Sequence, residues 1–115
     1  MFRKTRHIHF IGIGGIGMSG MAELLQKLGF QISGSDSALS EKTSQLSGLG
    51  IQVYEGHDGS NVLDSDVVVY SSAVPKDNPE IVEAIKQNIP VIRRAEMLGE
   101  LLKVKSTSVA IAGTH

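Results

Sequence analysis

Residues 12–17 read Gly-Ile-Gly-Gly-Ile-Gly, so glycines at 12, 14 and 17 meet the spacing G-x-G-x-x-G. That spacing suits reception of a diphosphate. Gly12 permits a tight turn, Gly14 lets backbone approach the phosphates, and Gly17 allows a helix to pack closely on a sheet. A helix opening at this point offers unpaired N–H groups and a partial positive charge to an anion. No Lys or Arg is needed in the loop, and none stands there. Asp36 follows Gly17 by 19 residues. An acid at that distance accepts hydrogen bonds from ribose hydroxyls, and its charge disfavours a 2′-phosphate. These residues suit a nucleotide diphosphate in general, so spacing alone leaves the nucleotide open.

Other polar residues can be placed near the same rim. Ser71, Ser72 and Ala73 follow the apolar run 67–69. Small residues there keep a crevice open and supply hydroxyls, or simply form a turn. His57 reads either as a surface histidine or as a ligand contact. His7 and His9 read as packed or strand-edge histidines, and no third ligand near them suggests a metal. Arg93 and Arg94 could face an anion or pair with acids. Met18 and Met21 are most simply core. No catalytic constellation is visible: there is no nucleophile elbow, no H-E-x-x-H and no complete Gly-Lys-Thr phosphate loop. The residues describe a binding site without chemistry of its own.

The elements that must position these groups follow from periodicity. Residues 7–11 alternate as a short strand and run into Gly12. Met18, Met21, Ala22, Leu25 and Leu28 have helical spacing, and Gly29 suits a helix C-terminus. Residues 30–34 form a second strand, which leaves Asp36 just beyond its end. Residues 39–46 form a weaker helix and 51–54 a third strand. Residues 56–59 are loop. The β-branched run within 66–70 predicts a strand buried on both faces. Asn78, Pro79 and Glu80 make a helix start, as N-cap, first helical residue and first-turn acid. Ile81, Val82 and Ile85 are expected to be that helix's apolar face. Residues 90–92 form a fifth strand, 95–102 a helix and 107–112 a last strand candidate. Strands alternating with helices imply parallel pairing through right-handed crossovers. The fold expected is α/β: a Rossmann-like, doubly wound parallel sheet of about five strands, order 3-2-1-4-5, with helices on both faces.

The composition agrees. The chain has 115 residues, 41% hydrophobic and 20% charged, with net charge −1. That is ordinary for one globular domain. No basic surface suggests nucleic acid. There are no cysteines, which excludes disulfides, thiolate catalysis and Cys-bound zinc. No apolar run reaches the ~18 residues of a membrane span. A soluble cytoplasmic domain is the expectation. Gly is the outlier: 13 residues where average usage gives about eight.

Residues 7–23, His-Ile-His-Phe-Ile-Gly-Ile-Gly-Gly-Ile-Gly-Met-Ser-Gly-Met-Ala-Glu, resemble the opening of the Mur ligases. The resemblance continues through 33–36, 56–57, 69–74, 78–80 and 92–98, and covers about residues 7–115. It is strongest to the members that add L-alanine to UDP-N-acetylmuramate. A muropeptide-recycling branch has a different glycine loop. The resemblance implies that this chain is the N-terminal, UDP-binding part of a three-domain enzyme of peptidoglycan precursor synthesis. The central domain would bind ATP and Mg2+. The C-terminal domain would bind L-alanine, whose amine attacks an acyl phosphate of the muramyl carboxylate. By match, Gly14, Gly15, Ile16 and Gly17 would hold the diphosphate through backbone N–H groups. Ser35, Asp36 and His57 would lie along the uridine, and Ser71, Ser72 and Ala73 would line the crevice.

Gly113, Thr114 and His115 resemble the entry to the family's ATP loop, ahead of its Gly-Lys-Thr. The expected division is therefore 1–106 as the substrate domain and 107–115 as the start of the ATP-binding domain. On that expectation this piece alone carries no catalytic residue, no metal site and no cofactor. The alternative is an NAD-binding domain of an oxidoreductase, or an NAD-sensing module.

Overall fold

The computed structural model describes residues 5–100. Five strands form one sheet: β1 (His7–Ile11), β2 (Gln31–Asp36), β3 (Gln52–Glu55), β4 (Val67–Tyr70) and β5 (Val91–Arg93). Their order is β3-β2-β1-β4-β5, and every pairing is parallel. The expected order and direction are both found. The helices are α1 (Met18–Lys27), α2 (Glu41–Gly48) and α3 (Pro79–Lys86), with a 3-10 turn at Gly59–Val62 that begins at the end of the expected loop 56–59. A fourth helix, α4, runs over 94–100. The strand candidate 107–112 and residues 113–115 lie outside the described residues.

The sheet separates two apolar layers. Ile8 and Phe10 of β1 and Val67 and Val69 of β4 pack with Met18, Met21, Ala22 and Leu25 of α1, Leu46 of α2 and Met97. Ile11 and Val68 face the other way, toward Val62 and toward Ile81 and Ala84 of α3. Strand alternation makes this division, because successive side chains point to opposite faces. Met18 and Met21 are core, as expected.

The helix starts follow their local chemistry. Ser40 caps α2: its Oγ accepts from the Thr43 N–H, and Thr43 Oγ1 accepts from the Ser40 N–H at 2.7 Å. Asn78 caps α3 by accepting from the Glu80 N–H at 2.9 Å, with Pro79 in the first turn.

The apolar face of α3 differs from the expectation. Val82 is 52% and Ile85 64% exposed, while Glu80, Ile81 and Ala84 face inward. The helix is turned so that a carboxylate, not an isoleucine, meets the sheet. Strand β2 also runs further than expected, and Asp36 is its last residue rather than a loop residue.

Glycine at 34 is a packing requirement. A Cβ there would stand 2.6 Å from Ile13 Cβ and 2.9 Å from Ile13 Cγ1. Ile13, fully buried, thus lies across β2 and anchors the glycine loop to the sheet.

Candidate functional site

The carboxyl ends of β1, β2 and β4 converge on a cavity of about 410 Å3. Gly12 and Gly15 enter from the loop after β1, Asp36 and Ser37 from the end of β2, His57 from the loop after β3, and Ser71 and Ala73 from the end of β4. This is the switch point of the sheet, where the chain crosses from one side to the other and adjacent loops part. Ser72 does not line the cavity, and Ser35 lies buried behind His57. A second cavity of about 510 Å3 lies between α3 and β5. It is lined mostly by apolar groups such as Ile81, Ile85 and Val91, with Lys76 its charged member, and it is away from the glycine loop.

The glycine loop is fastened by its own backbone. The Gly12 and Ile13 N–H groups donate to the Ser35 carbonyl at 2.7 and 3.0 Å, and the Gly15 N–H donates to the Gly12 carbonyl at 2.9 Å. The Gly14 N–H donates to Asp36 Oδ2 at 2.9 Å. Among the four residues expected to hold a diphosphate by backbone N–H, Gly14 and Gly15 therefore have engaged amides. The Ile16 and Gly17 amides have no hydrogen-bond partner among the described residues. Ile16 is 97% exposed at the loop tip. Asp36 accepts a second bond from the Ala38 N–H at 3.2 Å through Oδ1. Each carboxylate oxygen retains a lone pair for another donor.

The close contact at Gly17 is with Arg94 rather than with the sheet. It has φ +80° and caps α1, and a Cβ on it would stand 3.1 Å from Arg94 Nη1. Its glycine permits a left-handed turn beneath a guanidinium. The close approach to the sheet belongs instead to Gly34. The two arginines part company: Arg93 pairs with Glu96 at 3.4 Å on the surface, and Arg94 lies over the glycine loop.

The largest finding that sequence reasoning missed lies behind the pocket. Glu80 and His9 are both fully buried, and His9 Nε2–H donates to Glu80 Oε1 at 2.6 Å. Glu80 also accepts from the Ser35 hydroxyl at 2.7 Å, the Asp58 N–H at 3.1 Å and Asn61 Nδ2 at 3.0 Å. Burial pushes its carboxyl up. The His9 hydrogen bond and charge, with the Ser35 and Asn61 bonds, outweigh this and hold it below the usual carboxylate range. His9 Nδ1 meets Ser33 Oγ at 2.8 Å, Ser33 Oγ meets His7 Nε2 at 2.7 Å, and His7 Nδ1 meets the Asp64 carbonyl at 2.9 Å.

This line of four hydrogen bonds ends on an acceptor at each end. It needs one proton per bond. Ser33, His7 and His9 are the donors available to it. No buried side-chain N or O among the described residues lacks a partner.

A signal for this network was present in the sequence. His7 and His9 alternate on β1, and Ser33 and Ser35 alternate on β2. Register sets His9 beside Ser33 and Ile11 beside Ser35, so all four polar side chains share one face. Polar groups repeated on the inner face of a sheet require a buried partner. Glu80, read as a first-turn acid, is that partner. Among the described residues no group of three or more His, Asp and Glu converges as a metal site, and no helix is long and apolar enough to cross a membrane.

Comparison with known proteins agrees with the geometry. Residues 7–106 match the family described as "Mur ligase family, catalytic domain". The chain is 60% identical over its whole length to UDP-N-acetylmuramate–L-alanine ligase of Syntrophus aciditrophicus, of which it covers 24%. Among solved structures it is similar to the UDP-N-acetylmuramate–alanine ligase of Thermotoga maritima, with TM-score 0.81, 40% identity and coverage of 84% of this chain and 23% of that one. It is also similar to the Neisseria meningitidis ligase of UDP-N-acetylmuramate and L-alanyl-gamma-D-glutamyl-meso-diaminopimelate, with TM-score 0.76, 33% identity and coverage of 84% and 31%. The chain thus spans about a quarter of the length of the curated relatives it matches. By a match that takes in the glycine loop, the sheet and the pocket walls together, the chain belongs to the Mur ligase family.

Proposed function

We propose that this chain is the uridine-nucleotide-binding domain of a ligase that joins L-alanine to UDP-N-acetylmuramate. The observation that carries the reading is the switch-point pocket, with Asp36 on one wall and His57 on another beside the glycine loop. The names of the similar proteins supply the substrate, and the pocket supplies a place for its nucleotide.

In this reading the open amides of Ile16 and Gly17 meet the diphosphate at the N-terminus of α1. The Arg94 guanidinium lies against the same loop and adds a positive charge. Asp36 accepts from the ribose with its free lone pairs while Gly14 and Ala38 hold it in place. His57 lies along the nucleoside, and Ser71 and Ala73 leave room on the sugar–phosphate side. ATP, Mg2+ and L-alanine belong to other parts of the parent enzyme. There the muramyl carboxylate is activated and the amine of alanine attacks it. The division at about residue 106 and a cytoplasmic setting are parts of the same proposal.

Titration of the labelled chain with UDP-N-acetylmuramate, UDP and NAD in parallel tests it by NMR. The expected result is that the uridine ligands shift the Gly12–Gly17 amides and Asp36, and that NAD does not. Shifts with NAD alone would favour an oxidoreductase domain instead.

A further inference from the structure

The wall of the pocket that His57 contributes is held from behind. Ser35 Oγ lies 2.7 Å from Glu80 Oε1 and 2.9 Å from His57 Nδ1. A hydroxyl has one proton to give, and an ionised carboxylate has none. Glu80 receives four donors, from His9, Ser35, Asp58 and Asn61, and is the acceptor in every one of these contacts. The Ser35 proton therefore goes to Glu80. Only lone pairs remain on Ser35 Oγ for His57, so the hydrogen in that second bond must sit on His57 Nδ1. The second Glu80 oxygen, 3.6 Å from the same nitrogen, favours a proton there by its charge.

In a neutral imidazole one nitrogen carries the proton and the other is an acceptor. With Nδ1 protonated, Nε2 is a bare lone pair. Nε2 has no protein partner among the described residues, and it is not buried, because every buried side-chain nitrogen there has a partner. The side chain is 22% exposed and lines the cavity.

We propose that Glu80, acting through Ser35, locks His57 as the Nδ1–H tautomer, so that His57 presents an acceptor to the pocket and selects a ligand group that donates a hydrogen bond. The group selected is an N–H or O–H of a nucleoside, not a phosphate oxygen. His57 is the specificity-determining residue, and Glu80 and Ser35 are positioning residues. The choice of a nucleoside donor rests on the uridine-nucleotide reading of the pocket. The tautomer does not.

The test is long-range proton–nitrogen correlation of the histidine rings in the 15N-labelled full chain at about pH 8, above the ordinary imidazole range. The expected pattern for His57 is the Nδ1–H tautomer in the free protein, favoured about tenfold, as one charge-assisted bond in series allows. A predominant Nε2–H pattern overturns the proposal. In Ser35→Ala the lock is broken and the ring signals should move toward a tautomer mixture. An unchanged pure Nδ1–H pattern overturns the relay through Ser35. Glu80→Gln, whose amide can donate to Ser35, should move the signals the same way.

Ligand addition separates the two levels. UDP should shift His57 Nε2 as it accepts a hydrogen bond, whereas inorganic pyrophosphate should shift the glycine-loop amides and leave Nε2 in place. A larger Nε2 shift with pyrophosphate than with UDP overturns the selection for a donor. Silence with UDP overturns the nucleoside donor together with the uridine reading, while the tautomer result stands by itself.

Discussion

Glu80 Oε1 lies 2.6 Å from His9 Nε2, and neither side chain reaches solvent. The pair joins α3 to the central strand and closes a polar line that runs to the pocket wall at His57. Taking both groups out of water is costly, so removing one partner leaves the other uncompensated. Glu80→Ala should destabilise the chain by about 3–5 kcal/mol. Urea unfolding monitored by circular dichroism measures this. A loss below about 1 kcal/mol, the value of an exposed pair, would show that the network is solvated in solution.

The same carboxylate sets an acid limit. Its folded-state value lies below the unfolded one, so its stabilisation is complete above the ordinary glutamate value of 4.5 and is lost as pH falls through the folded value. Asp66 acts in the same direction, because the backbone N–H groups of His7 and Arg6 hold its carboxyl low. Stability should fall as the pH drops below about 4.5 and through the lowered folded-state value, and Glu80→Gln should flatten the fall. The check is a set of urea unfolding curves at several pH values for both proteins. Equal slopes would remove Glu80 as a cause.

Ile13 and position 34 compete for one volume. A methyl group at 34 would stand within 2.9 Å of Ile13 Cγ1. Gly34→Ala should cost about 1–3 kcal/mol by overpacking. Adding Ile13→Ala should recover part of that cost, although Ile13→Ala alone is destabilising. A double-mutant cycle by thermal unfolding reads the coupling, and additive effects would mean that the two positions do not share the space.

Gly17 combines a left-handed backbone with a guanidinium overhead. Gly17→Val meets both obstacles, so UDP affinity should fall at least about tenfold. Calorimetry with UDP, beside a circular dichroism spectrum to confirm folding, is the measurement. Unchanged affinity in a folded variant would place the ligand elsewhere.

Asp36 links strand β2 to the glycine loop through the Gly14 N–H. Asp36→Ala removes that tie and the acceptor for a ribose. The expected loss in UDP affinity is about tenfold to a hundredfold, the worth of one hydrogen bond to a charged group. If affinity for inorganic pyrophosphate falls equally, the effect acts through the loop and not through the ribose.

Much of the architecture was legible from residue order. Strands and helices alternate, β4 opens on three consecutive Val, and Asn78 with Pro79 marks a helix start, so the parallel sheet of order 3-2-1-4-5 followed from local patterns. The glycine spacing and Asp36 located the switch point for the same reason: turn chemistry is local and acts over a few residues. The rotation of α3 was not legible. Ile81, Val82 and Ile85 suggest one apolar stripe, but Glu80 has several buried donors waiting for it, and those donors come from residues 9, 35, 58 and 61. Hydrophobic periodicity cannot weigh a buried polar network assembled from distant segments. What Gly17 and Gly34 make room for was not legible for the same reason. What a glycine makes room for, Arg94 in one case and Ile13 in the other, is decided by which side chains the packed layers bring against it.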